Sequence, residues 1–482
     1  MEENTRSQVA GAPIVNTDVP LKMKQGLTYS SYALGSQMLQ MWLNAFLMIF
    51  LTDSVGVPAV AVAALLMFTR FWDAGIDPVL GVIQDRTRLK MGRYKPWVLI
   101  GGIGFSICVA MFFANNPSWS IGAKTSWMWA FYILVVTFQS IAAMSYASLG
   151  NVLTSNIEGR IRLQTLRLVT GGVGNNITNI VAVPLIALLG GVVISDGGQS
   201  AQGYFWSVFI FAVIMLPFVF LTAFKSKEII TIQMEQVKVK FAKQMASLFK
   251  NPYMIIVIVI FVLQGFMAYG RFSMLMYYFR YAAGNAGLMS IQGFVALAGT
   301  LLAIPVGPWV YKRLKSKNVS IQVVGVTNCA CYVALFFTNP GAASSTAFLF
   351  WVFFFLVQFL DHCMAGYLYS LFGDCADYSE LKNGFRSDSL LNGATSFAMQ
   401  VGGAIGPAVI LLIVDNLGFV PNAAEQPAAV ISMMGASISL LPGICMLIYA
   451  VLIIFYKLTG EKMKEIVAEL DKRRSEALTE NK

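Results

Sequence analysis

Residues 57–84 read VPAVAVAALLMFTRFWDAGIDPVLGVIQ, a long apolar segment with three charged side chains near its middle. The segment is long enough to cross a bilayer as a helix, which takes about 20 residues. Arg70, Asp73 and Asp77 lie three and four positions apart, so a helix places them on one face. A charge at the bilayer centre costs at least ~2.5–3.5 kcal/mol on insertion scales. We therefore expect these side chains to face one another or a polar cavity, not lipid.

The rest of the chain repeats this apolar pattern. Of its 482 residues, 57% are hydrophobic and 12% are charged, with a mean hydropathy of +0.67. About a quarter of a typical soluble protein is charged, so this composition excludes a secreted disulfide scaffold, a nucleic-acid-binding protein and a cytosolic enzyme. Helix is the structure that satisfies the backbone of such runs in lipid. We expect an all-α polytopic membrane protein whose twelve spans lie near 26–52, 57–84, 96–115, 125–152, 163–190, 204–225, 252–282, 287–311, 319–338, 345–373, 388–416 and 428–456.

The longest polar break between spans, residues 226–251, divides the chain into two halves of six helices. A basic loop follows the second span (GVIQDRTRLKMGRYKP) and another follows the eighth (GPWVYKRLKSKN). Such an echo between halves is typical of duplicated transporter folds. The predicted organisation is an N-terminal tail (1–25), a six-helix bundle (26–225), a linker (226–251), a second six-helix bundle (252–456) and a basic tail (457–482).

The basic residues predict the orientation of the chain. Of the 34 Lys and Arg, all but Arg70, Lys124, Arg271 and Arg280 lie in the two tails, in alternate loops or at the adjoining ends of spans. Loops on the cytoplasmic side of membrane proteins carry such an excess. We therefore expect the two tails, the linker and these loops to be cytoplasmic.

Polar and aromatic side chains recur at helical spacing inside spans of both halves, which predicts a polar central cavity. A single Ser or Thr in a membrane helix usually bonds to the backbone of its own helix. The prediction therefore rests on the recurring pattern of polar side chains and not on any single residue. Aromatic rings there suit either stacking on a sugar or simple packing. The candidate solute-binding residues are Tyr32, Gln37, Tyr146, Arg167, Arg271, Asn392 and Gln400.

Charged groups near the cytoplasmic mouth form a second set of candidates. The end of the tenth span carries Asp374, Asp377 and Arg386, and the corresponding loop of the first half carries Asp85 and Arg93. These charges suit either a gate between the halves or a solvated cluster at the membrane edge. His362, the only histidine, lies beside Asp361. That pair suits either a proton relay or a packed hydrogen-bonding group.

Two segments carry a family resemblance. RFWDAGIDPVLGVIQDRTRLKMGRYKPW (70–97) and DCADYSELKNGFRSDSLLNG (374–393) resemble the signatures of the glycoside–pentoside–hexuronide:cation symporters, a branch of the major facilitator superfamily. The resemblance implies a two-bundle fold, import of a sugar or glycoside with Na⁺ or H⁺ by alternating access, and no enzymatic activity or cofactor beyond the coupling ion. It implies a multi-pass protein of the bacterial cytoplasmic (inner) membrane that works as a monomer in the lipid bilayer. By residue, it maps the cation site, and the Na⁺ ligands if sodium is used, onto Asp73 and Asp77, with Arg70 as the neighbouring cation, Ser140 as a hydroxyl ligand and Arg167 in the fifth span.

The chain departs from the family pattern at four positions. Sodium-using members carry Asn immediately before the second Asp, where this chain has Ile76, so one oxygen ligand is lost and a proton becomes as plausible as Na⁺. The family's sugar-binding acids appear as Gln37 and Ala143, and a Lys of the eleventh span appears as Gln400. A pocket with fewer acids and with arginine favours an anionic ligand such as a uronide.

Three rival functions are compatible with the same sequence. Related sequences in animals carry lysolipids or other amphiphiles, which would need a cavity open to lipid. A membrane-embedded transferase would need a catalytic constellation at the interface, and the sequence contains no metal cluster or nucleophile motif of that kind. A sensor that does not transport is a third alternative.

Overall fold

The structure of the chain is a computed structural model. It describes residues 23–86, 89, 91–92, 94–153, 157–194, 200–226, 251–341, 344–383, 388–423, 425–458 and three short pieces between 462 and 469. Arg93 and Arg386 lie outside the described residues, and so do the side chains of Arg70, Asp77, Asp85 and Asn392.

Within these residues the chain forms a series of long helices. They are α1 Met23–Val55, α2 Ala59–Arg86, α3 Lys95–Phe112, α4 Ile121–Val152, α5 Ile157–Gly190, α6 Ala201–Lys225, α7 Pro252–Ala282, α8 Leu288–Leu314, α9 Lys317–Phe336, α10 Ala347–Asn383, α11 Asp388–Asn416 and α12 Ala428–Leu452. Side-chain oxygens that accept backbone N–H bonds fix several helix starts, at Ser120, Ser200, Asn251 and Ser316.

Length and composition support most of the predicted spans. Among the described residues, ten helices are long and apolar enough to cross a membrane, and α8, bent by 40° between Ala303 and Pro305, makes an eleventh. In α2 the apolar part is Ala59–Thr69, which is shorter than the other candidate spans and is not counted among them. The prediction of twelve apolar spans therefore exceeds this number by one, because the remainder of α2 contains several charged residues.

The helices pack as two groups, α1–α6 and α7–α12, which we call the first and second bundles. Within them α1 packs on α5 and α6, α3 on α4, α7 on α11, and α8 and α9 on α10. Contacts between the bundles run through α5 with α8, α2 with α11, and α1 with α7. If the six helices of each half are matched in order, α2 corresponds to α8 and α5 corresponds to α11. The α5–α8 contact and the α2–α11 contact are then equivalent, as a duplicated fold requires.

Glycine lets α7 and α11 approach closely. A Cβ atom added to Gly265 would lie 1.9 Å from the carbonyl oxygen of Met399, and one added to Gly402 would lie 1.8 Å from that of Val262. Small residues at such crossings are the usual way for membrane helices to pack. This crossing holds the second bundle together beside the bundle interface.

Candidate functional site

Asp73 and Ser140 meet near the middle of the first bundle. The Ser140 hydroxyl on α4 donates a hydrogen bond to a carboxylate oxygen of Asp73 on α2, and both residues are buried. The structure thus brings together two of the three predicted cation ligands. The third, Asp77, is one turn further along α2 and its side chain lies outside the described residues. A carboxylate with an adjoining hydroxyl provides oxygen ligands for a small hard cation, or a carrier for one proton.

A layer of amides and hydroxyls lies close to this pair. Gln139, the neighbour of Ser140 in sequence, donates from Nε2 to Oε1 of Gln40 at 2.5 Å. The Gln40 Nε2 in turn donates to Asn44 Oδ1 at 3.2 Å. The Trp72 indole donates to the Thr137 hydroxyl at 2.9 Å. These bonds join α4 to α1 and to α2, the helix that carries Asp73.

The predicted aromatic residues of the first bundle are packed together. The rings of Tyr32 and Tyr146 lie 4.6 Å apart, and Tyr29 stacks on Tyr146 at 4.3 Å. Tyr32 is 4% exposed and Tyr146 is 3% exposed. The Arg167 guanidinium lies 5.2 Å from the centre of the Tyr146 ring. In this conformation the two predicted stacking platforms are therefore covered, and the half-buried Arg167 is the more accessible group.

Gln37 and Gln400, two of the three residues that replace charged groups of the family pattern, are both half-buried. Gln37 on α1 packs against α5, where its Cγ lies 3.2 Å from the position that a Cβ of Gly171 would take. Gly171 lies one turn beyond Arg167, so Gln37 and Arg167 occupy neighbouring positions on the α1–α5 surface.

Arg271 has a protein partner in the second bundle. Its guanidinium donates to Asp361 at 2.8 Å and to the Tyr332 hydroxyl at 2.5 Å. Asn328 and Tyr332 both donate to Asp361. Arg271 is 4% exposed. The predicted contact of Arg271 with solute therefore requires this pair to open, since its charge is already neutralised by Asp361.

His362 lies beside this pair but points elsewhere. Its Nδ1 donates to the carbonyl of Gln358 at 2.7 Å, and its Nε2 lies 3.1 Å from the hydroxyl of Thr300 on α8. The methyl group of Thr300 lies 3.9 Å from the position of a Cβ on Gly172 in α5. His362 is thus exposed on the surface of the second bundle that faces the first.

A charged cluster joins the two bundles at one end. Asp53 lies in the π-helical last turn of α1, and Arg280 lies in the π-helical last turn of α7. They form an ion pair of 2.7 Å, with side-chain exposures of 0% for Asp53 and 6% for Arg280. The Tyr281 hydroxyl donates to the same oxygen of Asp53. We call this group, with the three residues described next, the Asp53 cluster.

Three further residues complete the Asp53 cluster. Asn422, from the α11–α12 connection, donates to the backbone carbonyl of Asp53 at 2.9 Å and accepts from Arg280 at 2.8 Å. Thr52 and Tyr277 share a hydrogen bond of 2.6 Å between their hydroxyls. These hydrogen bonds connect residues of both bundles, and the cluster closes the space between the bundles at this end. The sequence prediction had assigned no role to it.

The predicted gate at the opposite end is arranged differently in the described residues. Lys317, at the start of α9, contacts both carboxylate oxygens of Asp374 at 2.8 Å. Burial raises the pKa of Asp374, and the Lys317 ammonium partly offsets that effect. Asp374 therefore pairs within its own bundle and not across to the first bundle, because Lys317 lies within reach on the neighbouring helix. Asp377 is half-buried on the same helix.

Comparison with known proteins identifies the family. The sequence pattern of the family described as MFS/sugar transport protein matches residues 28–460. The chain belongs to this family. Membership confirms the predicted resemblance and the two-bundle fold, and it makes the protein a transporter, not an enzyme.

Three relatives of this MFS/sugar transport protein align over nearly its whole length. The inner membrane symporter YicJ of Escherichia coli is 27% identical, over 93% of this chain and 95% of its own. The isoprimeverose transporter of Lactiplantibacillus pentosus is 28% identical, over 90% and 88%. The glucuronide carrier protein homolog of Escherichia coli is 26% identical, over 89% and 91%. Among solved structures, a D-xylose–proton symporter superimposes with a TM-score of 0.59 at 14% identity, over 89% of this chain and 95% of that one, which shows a shared fold.

Proposed function

We propose that this MFS/sugar transport protein imports a sugar or glycoside across a bacterial inner membrane together with Na⁺ or H⁺. Family membership supports the transport of a sugar-like solute. The observation that carries the proposal is the buried Asp73, held by the Ser140 hydroxyl inside a membrane helix. An ionisable residue at that depth is a functional group by default, because burial without a function is costly.

Asp73 and Ser140, with Asp77 one turn away, form the proposed coupling site. Three oxygen-bearing side chains suit Na⁺ poorly unless solute or water completes its shell, whereas one carboxylate of raised proton affinity suffices for H⁺. The alkyl side chain of Ile76 provides no further ligand. The coupling ion then offsets one of the two carboxylate charges, and Arg70 on the same helix offsets the other, so that the loaded carrier crosses between its two states without a buried net charge.

We infer that this conformation is closed toward the outside. The distribution of Lys and Arg supports cytoplasmic tails, which places the last turns of α1 and α7 at the outer face. The Asp53 cluster lies there and bridges the bundles. In alternating access, this cluster forms when the outer end closes and separates when the outer end opens.

Arg167 is the proposed contact for the charged or hydroxyl groups of the solute. It is half-buried near Gln37, and its guanidinium can bind a carboxylate or sulfonate in a bidentate manner. One relative is named as a glucuronide carrier homolog, whose name indicates an acidic sugar. Another is named as an isoprimeverose transporter, whose name indicates a neutral one. A neutral sugar does not need the guanidinium charge. Replacing Arg167 should therefore affect the uptake of acidic sugars more than the uptake of neutral sugars.

Gradient-driven uptake by purified protein in liposomes tests this proposal. We expect uptake of a glycoside above its external concentration under an inward Na⁺ or proton gradient, and no such accumulation by Asp73→Asn. Asp415→Asn, which changes a carboxylate near the outer end of α11, is the matched control. Equal accumulation by wild type and Asp73→Asn would contradict the coupling site. Lack of accumulation of any glycoside by wild type would contradict the function.

The charge of the solute is tested in the same liposomes. If Arg167 holds an anion, Arg167→Gln lowers uptake of methyl glucuronide much more than uptake of methyl xyloside. We further infer that one chain is the working unit, because the proposed coupling and solute residues all come from a single pair of bundles. Uptake in liposomes that contain at most one chain each would fail if two chains were needed.

A further inference from the structure

One face of α8 is exposed along the whole helix, and the proposed function does not use it. The other side of α8 lies against α5 at Gly293 and against α10 at Gly299. Phe294, Leu302 and Trp309 are all exposed, Trp309 by 56%. They lie eight and seven positions apart, so a helix keeps them on one side. This apolar, exposed side of a membrane helix faces lipid.

The lipid-facing side of α8 ends in basic residues. Lys312 and Arg313 lie three and four positions after Trp309, on the same side of the helix, and both are exposed. Lys315 ends the helix in a left-handed conformation, with φ of 56°, and is exposed as well. We call Trp309, Lys312, Arg313 and Lys315 the α8 basic end.

The cations of the α8 basic end lack an acidic partner in the part of the chain that the structure describes. Lys317, two positions beyond Lys315, contacts both carboxylate oxygens of Asp374. The side chains of Lys312, Arg313 and Lys315 form no ion pair or hydrogen bond with a described residue. Three uncompensated positive charges therefore meet at one point of the protein surface, where they attract an anion.

An aromatic ring orients the guanidinium of this group. The Arg313 guanidinium lies 5.4 Å from the centre of the Trp309 ring, a distance at which a cation is attracted to the face of an indole. The planar group is thereby held beside the ring, and its N–H donors can bind two oxygens of one phosphate. An indole itself is favoured at the boundary between membrane and water.

The spacing of these side chains matches the layers of a phospholipid leaflet. At 1.5 Å per residue, Trp309 and Arg313 are ~6 Å apart along the helix axis. The polar layer on each side of a bilayer is about 5–8 Å deep. When Trp309 lies at the inner edge of that layer, Leu302 reaches the acyl chains and the cations reach the phosphates.

We propose that the α8 basic end is a binding site for an anionic phospholipid, such as phosphatidylglycerol. Arg313 and Lys312 bind its phosphate, and an acyl chain lies along the side of Leu302 and Trp309. An anionic lipid is favoured over a zwitterionic one, because the ammonium of phosphatidylethanolamine is repelled by the same cations. The lipid anchors the inner piece of α8, which is bent by 40° from the outer piece. This site is independent of the solute and the coupling ion.

Thermal unfolding of the full chain in detergent micelles tests the site. We expect dioleoyl phosphatidylglycerol to raise the melting temperature with saturation, because a ligand that binds the folded state stabilises it. The lipid concentration at half of the rise gives an apparent affinity. It should fall about fivefold in Arg313→Gln and about thirtyfold in the double variant with Lys312→Gln.

Lys382→Gln is the matched control and should leave this affinity unchanged. Lys382 is also an exposed lysine near a predicted cytoplasmic helix end, 5.8 Å from the ring of Tyr378, but that ring is half-buried. Trp309→Ala, which removes the ring that orients Arg313, should weaken binding and serves as a second test if the double variant does not fold.

Two further probes distinguish the lipid from other sources of the effect. Dioleoyl phosphatidylethanolamine should raise the melting temperature less than phosphatidylglycerol does, and inorganic phosphate should not raise it. An equal rise with phosphatidylethanolamine, or the same rise with phosphate alone, overturns the proposal. So does an absent rise with phosphatidylglycerol in wild type, or an unchanged affinity in both the double variant and Trp309→Ala.

Discussion

Replacing Asp53 with Asn should shift the carrier toward an outward-open state. The Asp53–Arg280 pair is buried, with side-chain exposures of 0% and 6%. Removing one partner of a buried ion pair costs about 3–5 kcal/mol, because the other charge stays buried without compensation. When the outer end opens, both groups reach water, so the penalty falls on the closed state alone.

This penalty is large enough to change the populated state. Each 1.4 kcal/mol changes an equilibrium constant tenfold, so 3–5 kcal/mol shifts the ratio of closed to open by about a hundredfold to a few thousandfold. A shift from 99:1 to 1:99 takes about 5.5 kcal/mol. Asp53→Asn should therefore populate the outward-open state strongly, unless the closed state of wild type is more stable than the open state by more than the penalty of about 3–5 kcal/mol.

Pulsed electron spin resonance measures the shift directly. Spin labels at Val60 in α2 and Val420 in the α11–α12 connection, both more than half exposed, report the separation of the bundles at this end. Asp53→Asn should add a longer distance that wild type lacks, and the double variant Asp53→Asn with Arg280→Gln should largely remove it. The same short distance in Asp53→Asn and wild type, with unchanged uptake, would refute the assignment of the Asp53 cluster as a gate.

Three further predictions concern folding and stability; the first and third are measured by the melting temperature of protein purified in detergent, and the second by the yield of folded protein. Asp361→Asn should cost about 3–5 kcal/mol, because Arg271 stays buried without its carboxylate, and adding Arg271→Gln should recover part of that loss; no recovery would contradict the pair. Gly265→Ala should lower the yield of folded protein severely, since its Cβ would lie 1.9 Å from a backbone oxygen of α11, whereas ordinary behaviour would mean that the helices cross less closely. Burial raises the pKa of Asp374, so the folded state binds a proton more readily than the unfolded state and this group stabilises as pH falls. Wild type should therefore gain stability relative to Asp374→Asn as the pH falls from neutral toward the ordinary aspartate pKa of about 4, and the opposite trend would contradict the pKa direction.

The helices were predictable because lipid allows few alternatives. Apolar runs of about 20 residues must be helical, and their lengths and the central polar break place twelve helices and two bundles along the chain. The apolar part of α2 is too short to count as a span for a local reason. Its charged residues lower the hydropathy of the segment, and Asp73, whose side chain the structure describes, is buried.

The contacts made by charged residues were only partly predictable. The family resemblance placed Ser140 beside Asp73, and the structure brings the two together. The partner of Arg271 was not predicted, because Asp361 lies 90 positions away in sequence and spacing indicates only neighbours within one helix.

The Asp53 cluster was missed for the same reason. Asp53 and Arg280 are separated by 227 positions, and an acidic residue at the end of a span is indistinguishable in sequence from an ordinary loop residue. One signal was present. Arg280 is among the four basic residues outside the predicted cytoplasmic segments, and a membrane arginine needs a carboxylate at the same depth.

Glycoside-induced cation entry tests the central claim most directly. Proteoliposomes loaded with a Na⁺-sensitive or a pH-sensitive dye receive a transported glycoside with no imposed membrane potential. The account predicts that the glycoside drives entry of one of the two cations in wild type and in Asp415→Asn, and that Asp73→Asn abolishes this entry. Glycoside uptake by wild type without entry of either cation, or undiminished cation entry in Asp73→Asn, would contradict it.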